Sequence, residues 1–262
     1  LIPKKKDPAD VWFYQSQPLL AGPVEKDLER NANTSCRLIS TTTTLESGQS
    51  RGHAFDIFVG PKNTEILAGY GLDRYTAITL FIPNTYEFWW NTSASQFMER
   101  MRLESERFWN RDRKDKANKA TMKPSEVITL ASIIEKETNR NDEKPRMAGV
   151  YINRLRQGWP LQADPTLVFA TGDFSITRVL NVHKAINSPY NTYLHTGLPP
   201  GPICIPSIAS IDAVLNFEEH QYMFFVAKAD NSGYHVFSRT LAEHNRHADR
   251  YRQALKTSSG KS

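Results

Sequence analysis

A chain of 262 residues can build one large domain, or a medium domain with a small one, around a real core. Its hydrophobic fraction of 39% and charged fraction of 23% exclude collagenous, repeat and disordered classes, and no run reaches the roughly 18 apolar residues of a membrane span. The net charge of +5 suits an anionic partner. The basic residues are spread out, however, apart from Lys4, Lys5 and Lys6 and the run 111–119, and no RNA-binding or zinc-finger signature accompanies them, so nucleic acid is set aside.

Taken in order, residues 1–70 read as a small separate unit of mixed α+β character. Asp7-Pro8 followed by Asp10 signals a helix start leading through Val11, Trp12 and Tyr14, with Pro18 closing it. Residues 31–52 are polar and rich in Thr and Ser, compatible with one or two weak strands or with a loop, and residues 53–59 alternate like a strand ended by Gly60-Pro61. The main unit, residues 71–256, opens with a dense apolar stretch at 77–90, broken by Pro83-Asn84, that reads as a buried strand and turn. Thr92 or Ser93 then caps a helix carrying Phe97, Met101, Phe108 and Trp109 that becomes strongly charged over 111–119.

Pro124 suits the first position of the next helix, which runs to about Thr138. Asn141 or Asp142 caps another, reaching Gly158, and Asp164-Pro165 starts a short one ended by Gly172. Between 186 and 206 helix signals give way to Pro and Gly, a long ordered loop of the kind that is usually functional and is expected to line a groove. Ser207 caps a helix to Asn216, residues 222–227 and 234–238 form two strands around the turn at Asn231-Ser232-Gly233, and Thr240 with Glu243 forms a capping box for a helix to about Leu255. Residues 257–262 read as a loose tail.

The chemistry concentrates in the helix from Pro124. At about 100° per residue Val127, Leu130, Ala131, Ile134 and Thr138 share one face, which Ile133 widens on one side, with Glu137 roughly 50° from its centre and Glu135 roughly 110° away on the opposite flank. A carboxyl pushed towards an apolar interior has a raised pKa, which suits a general acid near neutral pH. The structural alternative is a rim carboxylate paired with Arg140 or Lys144. Gln162, Asp164, Asn191, Tyr193, His235, His244 and Asn245 recur beside the turns, each with a structural reading of its own: Asp164 as a helix cap, His235 as a strand residue, His244 and Asn245 as a wet helix face. The histidines lack zinc spacing, Cys36 and Cys204 stand in neither metal nor redox spacing, and no nucleophile elbow is present, so neither metal nor cofactor is expected.

Six stretches together resemble a known family. They are Leu130-Ala131-Ser132-Ile133-Ile134-Glu135-Lys136-Glu137-Thr138, Val150-Tyr151-Ile152-Asn153-Arg154-Leu155, Leu161-Gln162-Ala163-Asp164-Pro165-Thr166, Ser188-Pro189-Tyr190-Asn191-Thr192-Tyr193, Gly197-Leu198-Pro199-Pro200-Gly201-Pro202-Ile203 and His235-Val236-Phe237-Ser238. In this order they are similar to the YceG-like endolytic murein transglycosylases. The resemblance implies a helix-rich α+β catalytic domain preceded by a LysM-like module, and a lyase that cuts peptidoglycan within its strands at the β-1,4 bond between N-acetylmuramic acid and N-acetylglucosamine, leaving 1,6-anhydro ends and ending strand elongation.

It implies Glu137 as the catalytic residue, with Gln162, Asp164, Asn191, Tyr193 and His235 around the sugar. It further implies a single-pass anchor in the bacterial inner membrane, upstream of Leu1, with the catalytic domain facing the periplasm near peptidoglycan synthases; the absence of an initiating methionine fits a removed segment. Two other classes stay open: a non-catalytic glycan-binding or cell-wall scaffold protein, and a hydrolase using Glu137 with Asp164.

Overall fold

The computed structural model describes residues 77–259 except 90, 91 and 231, and, before them, only the backbone of four strands. The chain divides into two compact units, Leu1–Ala77 and Ile78–Ser262.

In the first unit β1 (Ile2–Pro3) pairs antiparallel with β4 (Phe55–Asp56), and β2 (Phe13–Leu20) with β3 (Thr34–Ser40) in the register Leu20 to Thr34 and Ser16 to Leu38. The helix expected after Asp7-Pro8 is instead a strand over 13–20. Helix signals are local, whereas the hydrogen bonds that decide for a strand come from residues about twenty positions away; Pro18 fits because a strand in a two-stranded pair has a free edge. Residues 31–52, left open by composition, hold β3, and the alternating stretch 53–59 keeps two strand residues. Val11, Trp12 and the rest of the LysM-like expectation lie outside the described residues.

The second unit is built around a buried helix. After a 3-10 turn at Ala77–Leu80 the chain runs irregularly to Trp89, with Phe81 and Ile82 buried and the Tyr86 hydroxyl donating to the Ile82 carbonyl at 2.6 Å. The strand expected at 77–90 does not form over the described residues 77–89: Pro83 lacks an amide donor, and among the described residues no strand pairs with this stretch. Helix α1 (Ala94–Phe108) opens with a capping box between Ser93 and Gln96. The single charged continuation expected after it is a separate helix, α2 (Arg111–Lys119), because the Asn110 side chain accepts from the Arg113 amide and starts a new N-terminus.

Helix α3 (Pro124–Glu137) is buried on every side from Val127 to Ile134, not on one face, because α2, α4 (Lys144–Arg156), α5 (Asp164–Thr171) and α7 (Ile208–Leu215) all pack on it. Helix α4 starts at Lys144, and the residue before it, Glu143, spends its carboxylate elsewhere. Gly149 of α4 is required by close approach: a Cβ there would lie 2.3 Å from the Glu218 carbonyl. Gly172 ends α5 in the left-handed region at φ +69°, as its sequence position suggests.

A one-turn helix, α6 (Asn181–Lys184), precedes the long loop, and the Ser207 side chain caps α7. Strands β5 (Phe224–Ala227) and β6 (His235–Ser238) pair antiparallel, Phe224 to Ser238 and Ala227 to His235. Helix α8 (Leu241–Ser259) packs across both, opened by Thr240 and Glu243, whose carboxylate accepts from the Thr240 amide at 3.3 Å while the Thr240 hydroxyl accepts from the Glu243 amide at 3.2 Å. It spans Leu241–Ser259, past the expected end near Leu255 and into the segment read as a loose tail. The whole is a helix-rich α+β unit with one small sheet. Among the described residues no helix is long and apolar enough to cross a membrane.

Candidate active site

Helix α3 leaves the core at its last turn, where Lys136 is exposed and the two glutamates diverge. Glu135 turns towards α7: its Oε2 accepts from the Ser207 hydroxyl at 2.6 Å, the Ser210 hydroxyl at 2.5 Å, the Ser207 amide at 3.3 Å and Lys144 Nζ at 3.2 Å. Burial alone would raise its pKa, but these hydrogen bonds and the lysine charge hold it below the usual glutamate value. Glu135 is an ionised clamp between α3, α4 and α7.

Glu137 meets different chemistry. Its Oε1 accepts from the hydroxyl of Tyr151 on α4 at 2.6 Å. Desolvation raises its pKa, the Tyr151 hydrogen bond pulls the other way, Asp164 raises it and Arg154 lowers it, and the carboxyl ends at about 7. Neither Arg140 nor Lys144 pairs with it. Arg140 donates to the Ser232 carbonyl and lies over the Tyr234 ring, and Lys144 is spent on Glu135.

Glu137 opens onto a cavity of about 300 Å³. Its polar wall holds Tyr151, Arg154, Gln162, Asp164 and Tyr193, and its apolar wall Phe224, Phe225, Leu241 and His244. Gln162 has a positive φ of 51°, uncommon for a residue with a side chain, and is held there by its backbone amide, which donates to the Thr192 carbonyl at 3.0 Å, while the Ala163 amide donates to the Thr192 hydroxyl. Asp164 is the first residue of α5 rather than its cap, and its Oδ1 accepts from the Tyr193 hydroxyl at 2.5 Å. Burial, and then that bond, push the Tyr193 phenol well up. Tyr193 comes from the long loop, which is pinned to α3 where the Ile203 amide donates to Ser132 Oγ at 3.0 Å.

Of the residues singled out in the sequence, Glu137, Gln162, Asp164 and Tyr193 thus meet on one cavity. Asn191 and His235 stand elsewhere. Asn191 is fully buried: its Nδ2 donates to the Lys184 and Ile186 carbonyls at 3.0 and 2.9 Å, and its Oδ1 accepts from the Tyr193 amide at 2.9 Å. With these polar groups engaged inside the loop, Asn191 orients Tyr193 rather than facing a ligand. His235 gives both its amide and its Nδ1 side to buried Glu143, at 2.7 and 3.0 Å, and stands edge-on to Phe225 at 5.6 Å. Phe225 in turn stands edge-on to Tyr151, so His235 supports the site through that ring.

Tyr151, Arg154, Phe224 and Phe225 line the same cavity without having stood out in the sequence, and His244, read there as part of a wet helix face, joins them. Tyr151 and Arg154 are i, i+3 on α4, and an arginine within the apolar run 150–155 was the available signal. His244 is not on a wet face. It stacks on Phe224 at 5.3 Å, and burial, followed by the charges of Arg154, His247 and Arg252, lowers its pKa. Among the described residues no group of three or more His, Cys, Asp or Glu could hold a metal ion.

The profile of the YceG-like family matches residues 24–250. The endolytic murein transglycosylase of Bacillus subtilis is 40% identical over 52% of this chain and 36% of its own length, and that of Streptococcus pneumoniae is 32% identical over 47% of this chain and 23% of its own. The chain therefore spans about a third or less of these relatives. A crystal structure of a YceG-like protein from Listeria monocytogenes, 35% identical, superposes with a TM-score of 0.57 over 64% of this chain and 54% of that one.

Proposed function

Because this chain belongs to the YceG-like family, we propose that it is an endolytic lytic transglycosylase, and that Glu137 is its one acid–base group. The observation that carries this reading is the state of Glu137: a carboxyl with a pKa of about 7, bonded to Tyr151 on one oxygen, at the wall of a cavity of about 300 Å³. Near neutrality such a group is present in both protonation states, as a residue that first gives and then takes a proton requires.

In the first step protonated Glu137 gives its proton to the glycosidic oxygen as the bond to the anomeric carbon of the muramyl residue breaks. Oε1 is held by Tyr151, which leaves Oε2 to face the sugar. The resulting carboxylate then takes the proton of the muramyl 6-hydroxyl while that oxygen bonds to the anomeric carbon, closing the 1,6-anhydro ring and restoring the acid. Arg154 favours the intermediate carboxylate and Asp164 opposes it, so the two hold Glu137 between its states. No second carboxylate has to activate water, because the nucleophile belongs to the substrate and is already in place. Asp164, engaged by Tyr193, is a sugar contact in this scheme.

The substrate is the peptidoglycan strand, which puts the site of action outside the cytoplasmic membrane, in the company of the synthases that extend such strands. Mass spectrometry of peptidoglycan digested with the protein tests the reaction. Anhydro ends are expected; reducing ends would instead favour hydrolysis with Asp164 as partner, and intact strands a binding or scaffold role. Fractionation of cells tests the location, and recovery in the cytosol refutes it.

A further inference from the structure

Arg154 is only 7% exposed and carries a charge at any pH a protein meets. Its Nε donates to the Met223 carbonyl at 2.8 Å and its Nη1 to the Leu161 carbonyl at 2.6 Å, which fixes the guanidinium plane between the approach to β5 and the segment leading into α5. Among the described residues no carboxylate comes within ion-pairing distance of it, and Nη2 makes no hydrogen bond. The side chain is not sealed off, since it forms part of the cavity wall beside Glu137.

The ionisable groups that act on it do not neutralise it. Tyr151 and Tyr193 are phenols whose pKa values are raised by burial, so they stay uncharged, and Glu137 is largely protonated below about 7. A desolvated cation without a counter-charge is costly, and a guanidinium with free donors answers best to a carboxylate or an amide carbonyl. The cavity is where such an oxygen can arrive.

We propose that Arg154 is a subsite for a carboxyl-derived oxygen of the substrate, either a free carboxylate or the carbonyl of its amide, carried on the sugar whose bond Glu137 cleaves. The inference rests on the peptidoglycan reading above. On a muramyl residue this oxygen belongs to the lactyl group on O3, which is a carboxylate in peptide-free strands and an amide in peptide-bearing ones. Strands of N-acetylglucosamine alone have no such group, although they share the acetamido carbonyl. Arg154 therefore selects muramyl over glucosaminyl residues at the cleaved position.

Calorimetry on Glu137→Gln, which binds without cutting, tests this with three probes of equal length: peptide-free peptidoglycan oligosaccharides, peptide-bearing ones and chitooligosaccharides. The muramyl probes are expected to bind at least ~10-fold more tightly than chitooligosaccharide, the peptide-free form most tightly, and a second change, Arg154→Lys, should shrink the preference to within about threefold by removing the planar fork. Equal affinity for all three, or a preference that survives Arg154→Lys, overturns the inference while glycan binding stands. Binding of none overturns the substrate reading and the subsite with it. Should Arg154→Lys fail to melt cooperatively, the Nε–Hε resonance of Arg154 in Glu137→Gln is read instead: it should move on addition of the peptide-free probe and not of chitooligosaccharide, and no movement with the former refutes the assignment.

Discussion

Glu137→Gln should separate the cost of keeping this carboxyl buried from its use. The carboxyl has a pKa of about 7 in the folded chain and an ordinary value of 4.5. The sign follows from proton binding: between these values the folded state holds a proton that the unfolded state has released, so stability falls as pH rises through that window and is whole below it. The gap of 7 − 4.5 = 2.5 units, at about 1.4 kcal/mol per unit, sets a penalty of about 3 kcal/mol fully expressed above pH 8.

Glutamine removes that penalty while still accepting from the Tyr151 hydroxyl. The variant should therefore match the native chain near pH 4 and exceed it by about 2–3 kcal/mol near pH 8.5. Other groups titrate alike in both proteins, so the difference isolates this site. Urea unfolding at the two pH values measures it, and anhydro-product formation should fall by at least ~10²-fold. A stability difference that is the same at both pH values would refute the claim that Glu137 is neutralised by burial, whatever happens to activity.

Three further outcomes follow from the same contacts. Glu135→Gln leaves the buried Lys144 ammonium without its anion and should cost about 3 kcal/mol by denaturant unfolding while sparing much of the activity; a silent, inactive variant would reverse the roles of the two glutamates. Tyr151→Phe removes a hydrogen bond that favours ionised Glu137, so the basic limb of kcat/KM should move up by about one pH unit, and an unchanged or lowered limb contradicts the geometry. Asn191→Ala leaves two part-buried carbonyls without their donor and loosens Tyr193, which should cost about 2–3 kcal/mol in unfolding free energy; a change below 1 kcal/mol with lost turnover would instead mean that Asn191 meets the sugar.

What could be read from the residues alone was decided within a turn or two of chain. The caps at Ser93 and Ser207, the Thr240–Glu243 box, Pro124 at a helix start and Gly172 at a helix end each act over about four residues, and the structure keeps them all. Helical period likewise assigned Glu135 and Glu137 to different flanks, because angle around a helix depends only on position along it. Composition and period could not say what would face each flank. Tyr151 reaches Glu137 from the next helix, and Ser207 and Ser210 reach Glu135 across more than seventy residues. The resemblance put Asn191 around the sugar, in a Pro- and Gly-rich loop expected to line a groove, and only the fold of that loop turns its amide inward. The same holds for β2, where local signals favoured a helix and a distant strand prevailed. Hydrogen bonding within one turn is written in neighbouring residues, whereas the partner of a buried charge and the pKa of a carboxyl depend on which segments meet, and that is settled by packing the whole chain.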